Sequence, residues 1–413
     1  MTTTGGGRFR TGLAAVGVFL AAFLTGRYAL VAWQLRAPED ARYPYPNPGM
    51  TDLRDTVTLP ARALARGIDP YRVDAYTTAF PHAQEFDPYM PWWLTVTKPL
   101  ADLPWDRATL VWSWVLAGCV SACVVGVSAR IRQLGAGTWS PVLLAAGMIC
   151  AQWLWRPTTF GQGLGNVGAL ASLVTLLAIL PADRDRWLAP WVALAWVKPQ
   201  FGIPVVVVLL CRGQWRRVLG GTMMAVVASL PMIGRLVQLE GGLPALLRTV
   251  LASASQLSTR TDLEPLQGRV DTVAQLTLWG APPSGAVGLL AGAAVLALTA
   301  RLAMTVSERS PAPATLLVGL ALLVTFPHIH YDLALLAPLV VWVVVDRRGG
   351  RWALAIALFL AVVGLLPGHA LVGGEYNRVQ AMAVQLAFLG ALGWALTEFR
   401  TIRRIPRGTR LDQ

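Results

Sequence analysis

The chain has 413 residues, of which 55% are hydrophobic and only 14% are charged, and its formal net charge is +13. An ordinary globular chain carries roughly 25% charged residues, so this composition predicts a polytopic membrane protein. Collagen-like, disordered, disulfide-stapled and free nucleic-acid-binding proteins are excluded. The four cysteines fall in or beside apolar segments and show no metal-binding spacing.

Apolar segments of about 20 residues, enough to cross a hydrocarbon layer of ~30 Å, recur along the chain. The first, residues 11–33, follows Arg8 and Arg10 and is predicted to be an uncleaved anchor. Further spans are predicted at residues 107–129, 137–156, 163–181, 217–234, 284–305, 313–328, 331–346, 352–370 and 379–397. We therefore expect an all-α protein with about ten full transmembrane helices.

Residues 187–211 are apolar but interrupted by proline, notably at Lys198-Pro199. Proline removes a backbone donor from a helix interior, so a single straight span is disfavoured. Arginines flank the segment within 184–186 and 212–217, and short arginine-rich loops stay cytoplasmic. These features predict two half-helices that form a V and return to the side they came from.

The positive charge concentrates in the loops that this topology places inside. Residues 1–10 and the basic tail 399–413 are then cytoplasmic, and the membrane domain covers 11–398. Two long loops, about 34–106 and 235–283, lie outside, where we also expect amphipathic surface helices. The anionic inner surface of a bilayer explains the net charge, so no nucleic-acid partner is expected.

The first outer loop contains an apolar stripe at helical spacing, formed by Leu53, Val57, Pro60 and Leu64. The stripe predicts a helix along the outer membrane surface, ending near Gly67.

Asp52 falls in the first turn of this predicted helix, where the helix dipole favours an ionised carboxylate. Such a carboxylate can take a proton from an acceptor hydroxyl as a general base. Asp55, three residues on, shares that face and is a rival base. The structural alternative is simple capping of the helix by Thr51 or Asp52.

Two other outer stretches have weaker patterns. Residues 86–93 contain prolines and paired tryptophans, which suit an interfacial anchor or a further short span. Residues 160–166 are rich in glycine before a predicted helix. Such backbone can approach a phosphate or sugar closely, although a tight outer turn explains the pattern equally.

Ionisable residues near the remaining spans are also candidates. Lys198 lies among apolar neighbours, where a lysine is either functional or structurally paired. His328 and His330, followed by Asp332, suit hydrogen bonds to a phosphate or sugar hydroxyl, or form a plain interfacial turn. A zinc site is not expected because the chain has only four histidines and no cysteine on that side.

These motifs occur in an order that resembles glycosyltransferase family 87, the polyprenyl-phosphate-mannose-dependent α-mannosyltransferases of the GT-C class. The resemblance covers roughly residues 10–395. It rests on Asp52-Leu53, Gly67-Ile68-Asp69-Pro70-Tyr71, Tyr89-Met90-Pro91, Gly161-Gln162 with Asn166, Lys198-Pro199 and His330-Tyr331-Asp332.

The resemblance implies a bacterial cell-membrane enzyme that acts on the outer face without metal or soluble cofactor. A sugar, expected to be mannose, passes from a polyprenyl-phosphate donor to a hydroxyl of a glycolipid or glycan acceptor, with inversion. The resemblance makes Asp52 the base, with Asp55 as rival, and aligns the functional histidine with His330 or His328. The substrate-binding residues it implies are Tyr71, Tyr89, Gly161, Gln162, Asn166, Lys198, His328 and Tyr331. A phosphate leaving group also needs positive charge close to it, which Arg54, Arg62 or Arg156 can supply through charge-assisted hydrogen bonds.

Three alternatives remain. In the family motif a phenylalanine follows the aspartate, whereas Leu53-Arg54-Asp55-Thr56 stands here, which keeps Asp55 as a candidate base. A transporter or lipid flippase would also use broken helices and embedded charges, although we find no internal repeat. A non-catalytic membrane scaffold would make the outer polar residues incidental.

Overall fold

The computed structural model describes residues 4–41, 49–84, 86, 89–134, 139–181, 187–259, 269–278, 285–346, 348–365 and 376–404. Within these ranges the chain is helical and no strand forms, apart from an isolated antiparallel bridge between Arg269 and Ile329. The predicted all-α architecture is therefore confirmed. Parts of both predicted outer loops and residues 405–413 of the basic tail lie outside the described residues.

The helices follow the apolar segments closely. They are α1 Thr4–Gln34, α2 Thr51–Leu53, a π-helical turn Arg54–Thr58, α3 Leu59–Ala65, α4 Val73–Ala79, α5 Pro91–Ala101, α6 Trp105–Gln133, α7 Pro141–Leu154, α8 Arg156–Leu164, α9 Gly168–Ile179, α10 Leu188–Ala195, α11 Pro199–Cys211, α12 Trp215–Glu240, α13 Leu243–Thr259, α14 Thr272–Leu278, α15 Gly285–Ser307, α16 Pro311–Thr325, a 3₁₀ helix His330–Leu335, α17 Leu336–Asp346, α18 Gly350–Leu365 and α19 Tyr376–Arg404.

Five helices are long and apolar enough to cross a membrane: the described parts of α1, α6, α12, α15 and α19. They expose large apolar side chains such as Phe19, Val227 and Leu298, as lipid-facing helices do. The shorter helices α9 and α16 are buried along nearly their whole length. The molecule is thus a multi-pass membrane protein, in which long helices at the periphery surround shorter buried ones.

The helix predicted in the first outer loop is present as α2, the π-helical turn and α3, and Gly67 follows it with φ 76°. Its apolar stripe does not face a membrane surface, because Leu53, Val57 and Leu64 are buried inside the protein. The stripe packs this loop onto the helical domain.

The paired tryptophans also differ from the interfacial anchor that their sequence suggests. Trp92 and Trp93 begin α5 and are 9% and 6% exposed, so they belong to the protein interior. Trp93 stacks on Tyr89 and meets Trp112 of α6 edge-on. The aromatic cluster therefore joins the outer loop to α6.

The predicted V is observed as α10 and α11, which break at Lys198-Pro199. At the far end of α11, the Arg212 guanidinium donates to the carbonyl of Ile179, the last residue of α9. At the near end, Lys198 contacts Asn166, just before α9. Consequently α11 runs alongside α9 in the same direction, and the apex of the V reaches the beginning of α9.

Candidate functional site

Asn166 is the centre of a polar network that joins three distant segments. Gly165, with φ 73°, ends α8, and Asn166 follows it immediately before α9. The Asn166 amide Nδ2 donates to Asp52 Oδ2 at 2.6 Å and to Tyr331 Oη at 3.0 Å. Its Oδ1 accepts from Lys198 Nζ at 3.2 Å and from the Gly168 backbone N–H at 2.5 Å. Because an ammonium can only donate, the lysine fixes which way the amide points.

Asp52 lies in the first turn of α2, and local backbone geometry presses that turn against the end of α8. Met50 adopts a left-handed conformation with φ 60°, and its N–H donates to the carbonyl of Gly163 at 2.8 Å. A Cβ on Gly165 would lie only 2.9 Å from the Met50 sulfur, so glycine permits this close approach. Asp52 is partly exposed, whereas Thr51 and Leu53 on either side are buried. Asp52 thus keeps part of its surface exposed in an otherwise packed surrounding.

Lys198 is 3% exposed and is surrounded by aromatic rings as well as by Asn166. Its Nζ lies 5.2 Å from the centre of the Tyr89 ring and 5.4 Å from that of Tyr331. Cation–π attraction of this kind stabilises a buried ammonium. The sequence left open whether Lys198 is functional or structurally paired; the structure brings it into the same network as Asp52.

Tyr71 and Tyr89 form the wall behind this lysine. The Tyr71 hydroxyl donates to the backbone carbonyl of Tyr89 at 2.5 Å, and both side chains are 2% exposed. Burial raises the pKa of Tyr71 above its usual range, so the phenol stays a neutral donor. Tyr71 therefore holds Tyr89, and Tyr89 in turn contacts the lysine.

The two histidines occupy different environments beside the 3₁₀ helix. His328 is fully buried, its Nδ1 lies 3.1 Å from Asp332 Oδ2, and its ring packs on Phe201 at 4.6 Å. His330 is only partly buried and packs on Phe160 at 4.7 Å. His330 is thus better placed than His328 to meet a substrate, while His328 and Asp332 fix the segment that carries Tyr331.

Arg54 and Asp55 are not part of the Asn166 network. They form a buried ion pair, with Arg54 Nε 2.8 Å from Asp55 Oδ1 and side chains 0% and 2% exposed. The guanidinium also donates to the carbonyls of Glu39, Ala41 and His82. The pair therefore ties together segments of the first outer loop.

Gly161 and Gln162 support the network from within α8. A Cβ on Gly161 would lie 3.3 Å from Tyr331 Cβ, so this glycine lets the tyrosine approach. Gln162 is 2% exposed and donates to the carbonyl of Ser113 on α6 at 2.9 Å.

Some supporting residues carried no readable signal in the sequence. Trp112 donates through Nε1 to the Gly165 carbonyl at 2.8 Å, and Ser172 donates to the Asp332 carbonyl at 3.0 Å. Both lie in ordinary apolar helices, and only the packing shows their role. In the described part of the chain, no three His, Cys, Asp or Glu residues gather in a group that could hold a metal ion.

The fold and the network define a multi-pass membrane protein with a carboxylate, an amide and an ammonium joined in one polar site. The model of glycosyltransferase family 87 matches residues 88–327, more than half of the chain, and the protein belongs to that family. Tyr89, Asn166 and Lys198 lie inside the matched range, whereas Asp52 and His330 lie outside it. No curated protein matches the sequence.

Proposed function

We propose that this membrane glycosyltransferase moves a sugar from a polyprenyl-phosphate donor to an acceptor hydroxyl, and that the sugar is mannose. The observation that carries the proposal is the hydrogen-bonded chain Asp52–Asn166–Lys198, with distances of 2.6 and 3.2 Å. It holds an accessible carboxylate and a buried ammonium on opposite sides of one amide.

Asp52 acts as the general base. Its carboxylate is held by Asn166, and the residue is partly exposed, so an acceptor hydroxyl approaches from the open side and gives up its proton. The oxygen then attacks the anomeric carbon from the side opposite the phosphate, which inverts that centre. Asp55 is less suited to this role because its carboxylate already binds Arg54 and lies buried.

Lys198 and His330 act on the donor. A sugar phosphate gains negative charge on the departing oxygen, and a nearby ammonium stabilises it. Lys198 supplies that charge without a metal ion, and Tyr89 and Tyr331 on either side keep water from it. His330, at the more open edge, hydrogen-bonds to the donor phosphate or the acceptor. Arg156, partly exposed at the start of α8, is a further cation near this edge.

The site faces outward in a bacterial cell membrane, with both termini in the cytoplasm and a glycolipid or glycan as acceptor. The support is the arginine-rich composition of the loops at the opposite ends of the helices, since such loops remain cytoplasmic.

Membranes carrying the protein, supplied with a panel of labelled polyprenyl-phosphate sugars, test the proposal. We expect transfer from one donor, an inverted anomer in the product by NMR, and undiminished transfer in EDTA. Asp52→Asn should lower the rate about 10²–10⁴-fold at normal expression.

Asp74→Asn is the matched control, because Asp74 is an exposed first-turn carboxylate on α4 of the same loop. This change should leave the transfer rate unaltered. Full activity in Asp52→Asn would remove the mechanism, and loss in EDTA would refute metal independence.

A further inference from the structure

A long groove lies between α1, α6 and α7, away from the Asn166 network. Its volume is about 880 Å³, and its walls are almost entirely apolar. Small residues open it, including Ala22 on α1, Ala129 on α6 and Ala145 on α7. The groove runs along the outside of three helices of the membrane domain, so the hydrocarbon chains of lipids are the molecules expected to fill it.

The groove follows α6 from Trp114 to Gln133, about 28 Å at 1.5 Å per residue. A hydrocarbon layer of ~30 Å is filled by two opposed acyl chains, so one chain that enters at an end of the groove covers about half of its length. A flexible lipid chain, and not a compact ligand, matches such a shape.

The two ends of the groove differ in charge. At one end its lining includes Arg132 and Gln133 together with Pro141, the first residue of α7. The N-terminus of a helix favours an anion, and the arginine adds a full positive charge. At the other end, Gly26 and Trp114 line the groove without a charge. An elongated apolar molecule with one anionic head complements this arrangement.

The charged end is far from the proposed reaction centre. Trp112, on α6, donates to the carbonyl of Gly165, which adjoins Asn166. Arg132 lies twenty residues further along the same helix, about 30 Å away. A phosphate at Arg132 therefore cannot be the phosphate that leaves the donor sugar.

We propose that this groove binds an acyl chain of an anionic phospholipid, whose phosphate contacts Arg132 and the first turn of α7. The lipid enters from the leaflet opposite the Asn166 network and fills the space beside α1. Its effect is to hold α1, which leads into the loop that carries Asp52. The proposal does not depend on which sugar is transferred.

Native mass spectrometry of the purified full chain, released from mild detergent with added phosphatidylglycerol or phosphatidylcholine, tests this. We expect a retained phosphatidylglycerol adduct and weak retention of phosphatidylcholine. Arg132→Gln should weaken the adduct about fivefold, the effect of one arginine near an anionic surface. Arg132 is exposed, so this change leaves the fold intact.

Two further variants complete the design. Ala145→Trp fills the groove and should remove the adduct while Arg132 remains. Arg107→Gln, an exposed arginine in the first turn of the same helix, should retain it fully. Equal retention of both lipids, an undiminished adduct in Arg132→Gln, or occupation by polyprenyl phosphate or by a second copy of the chain would overturn the proposal.

Discussion

Replacing Gly168 by alanine tests whether the network needs its observed geometry. A Cβ at this position would lie 2.5 Å from Asp332 Oδ1, 2.7 Å from Tyr331 Cδ2 and 2.9 Å from Asn166 Oδ1. Ordinary contacts at a Cβ begin near 3.4 Å, so these neighbours must retreat by about 0.5 to 0.9 Å. They belong to a buried region, and the added methyl group pushes Tyr331 and Asn166 away from α9.

The added methyl group has two effects of different size. Overpacking a dense interior costs about 1–3 kcal/mol in the free energy of unfolding. A displacement approaching 1 Å in a catalytic constellation can lower the rate about 10²-fold. We therefore expect Gly168→Ala to lose activity far more than it loses folded protein.

The assay is sugar transfer per amount of monodisperse protein, with the melting temperature measured on the same preparations. Gly147→Ala is the control, because a Cβ there meets nothing within 4 Å and alanine favours the helix. Wild-type activity in Gly168→Ala would show that the contacts among Asn166, Tyr331 and Asp332 do not set the rate.

Three further predictions concern the charged groups. Lys198→Met should lower the rate of sugar transfer at least tenfold, because the departing phosphate loses its cation. The rate is measured at saturating acceptor over a range of donor concentrations, and an unchanged rate would show that Lys198 takes no part in the reaction. Asp55→Asn should destabilise the protein by about 3–5 kcal/mol, because it removes the carboxylate that neutralises the buried Arg54 guanidinium; thermal unfolding measures this, and a melting temperature equal to wild type contradicts it. Burial and the nearby charge of Glu240 raise the pKa of Asp69 from 3.8 to about 6. The native state thus binds this proton more tightly, and stability should fall as pH rises from about 4 to 6. Asp69→Asn should flatten that decline, and an equally steep melting profile would refute it.

The sequence predicted the helical framework well because hydropathy and proline report directly on membrane-type helices. The break at Lys198-Pro199 follows from the missing proline donor, and the structure has it there. The helices α9 and α16 are shorter than the spans predicted for them at residues 163–181 and 313–328. Since their neighbours bury them on all sides, they need not meet the length and periodicity that a lipid-facing helix shows.

The choice between Asp52 and Asp55 could not be made from spacing. Two residues three apart share one face of an ideal α-helix, so the resemblance favoured Asp52 while spacing left Asp55 as a rival. The structure inserts a π-helical turn at Arg54–Thr58, in which the N–H of Leu59 bonds to the carbonyl of Arg54. Such a turn holds an extra residue and rotates the residues after it about the helix axis. Asp55 lies within this turn and pairs with Arg54, its neighbour in the chain, whereas Asp52 precedes the turn and binds Asn166.

The sequence also could not predict that the paired tryptophans Trp92 and Trp93 are buried. Tryptophan followed by an apolar helix is typical of a membrane interface. The same run of residues occurs where the tryptophan ring is buried inside a protein, so the sequence does not distinguish the two cases. The partners of the ring decide whether it is buried: Trp93 packs against Tyr89 and Trp112, which are 4 and 19 positions away in the chain. Contacts of this kind depend on how the first outer loop folds over α6.

The amide of Asn166 links these motifs, which are far apart in the chain, through direct hydrogen bonds. Its donor side binds Asp52 and Tyr331, which come from the first outer loop and the 3₁₀ helix after α16. Its acceptor side binds Lys198 at the apex of the V and the first turn of α9. A single planar group thus sets the separation between carboxylate and ammonium, and neither can shift without turning the amide that holds the other. The distance from the Asp52 carboxylate to the Lys198 ammonium is therefore a property of the packing of α9 against the V and the first outer loop.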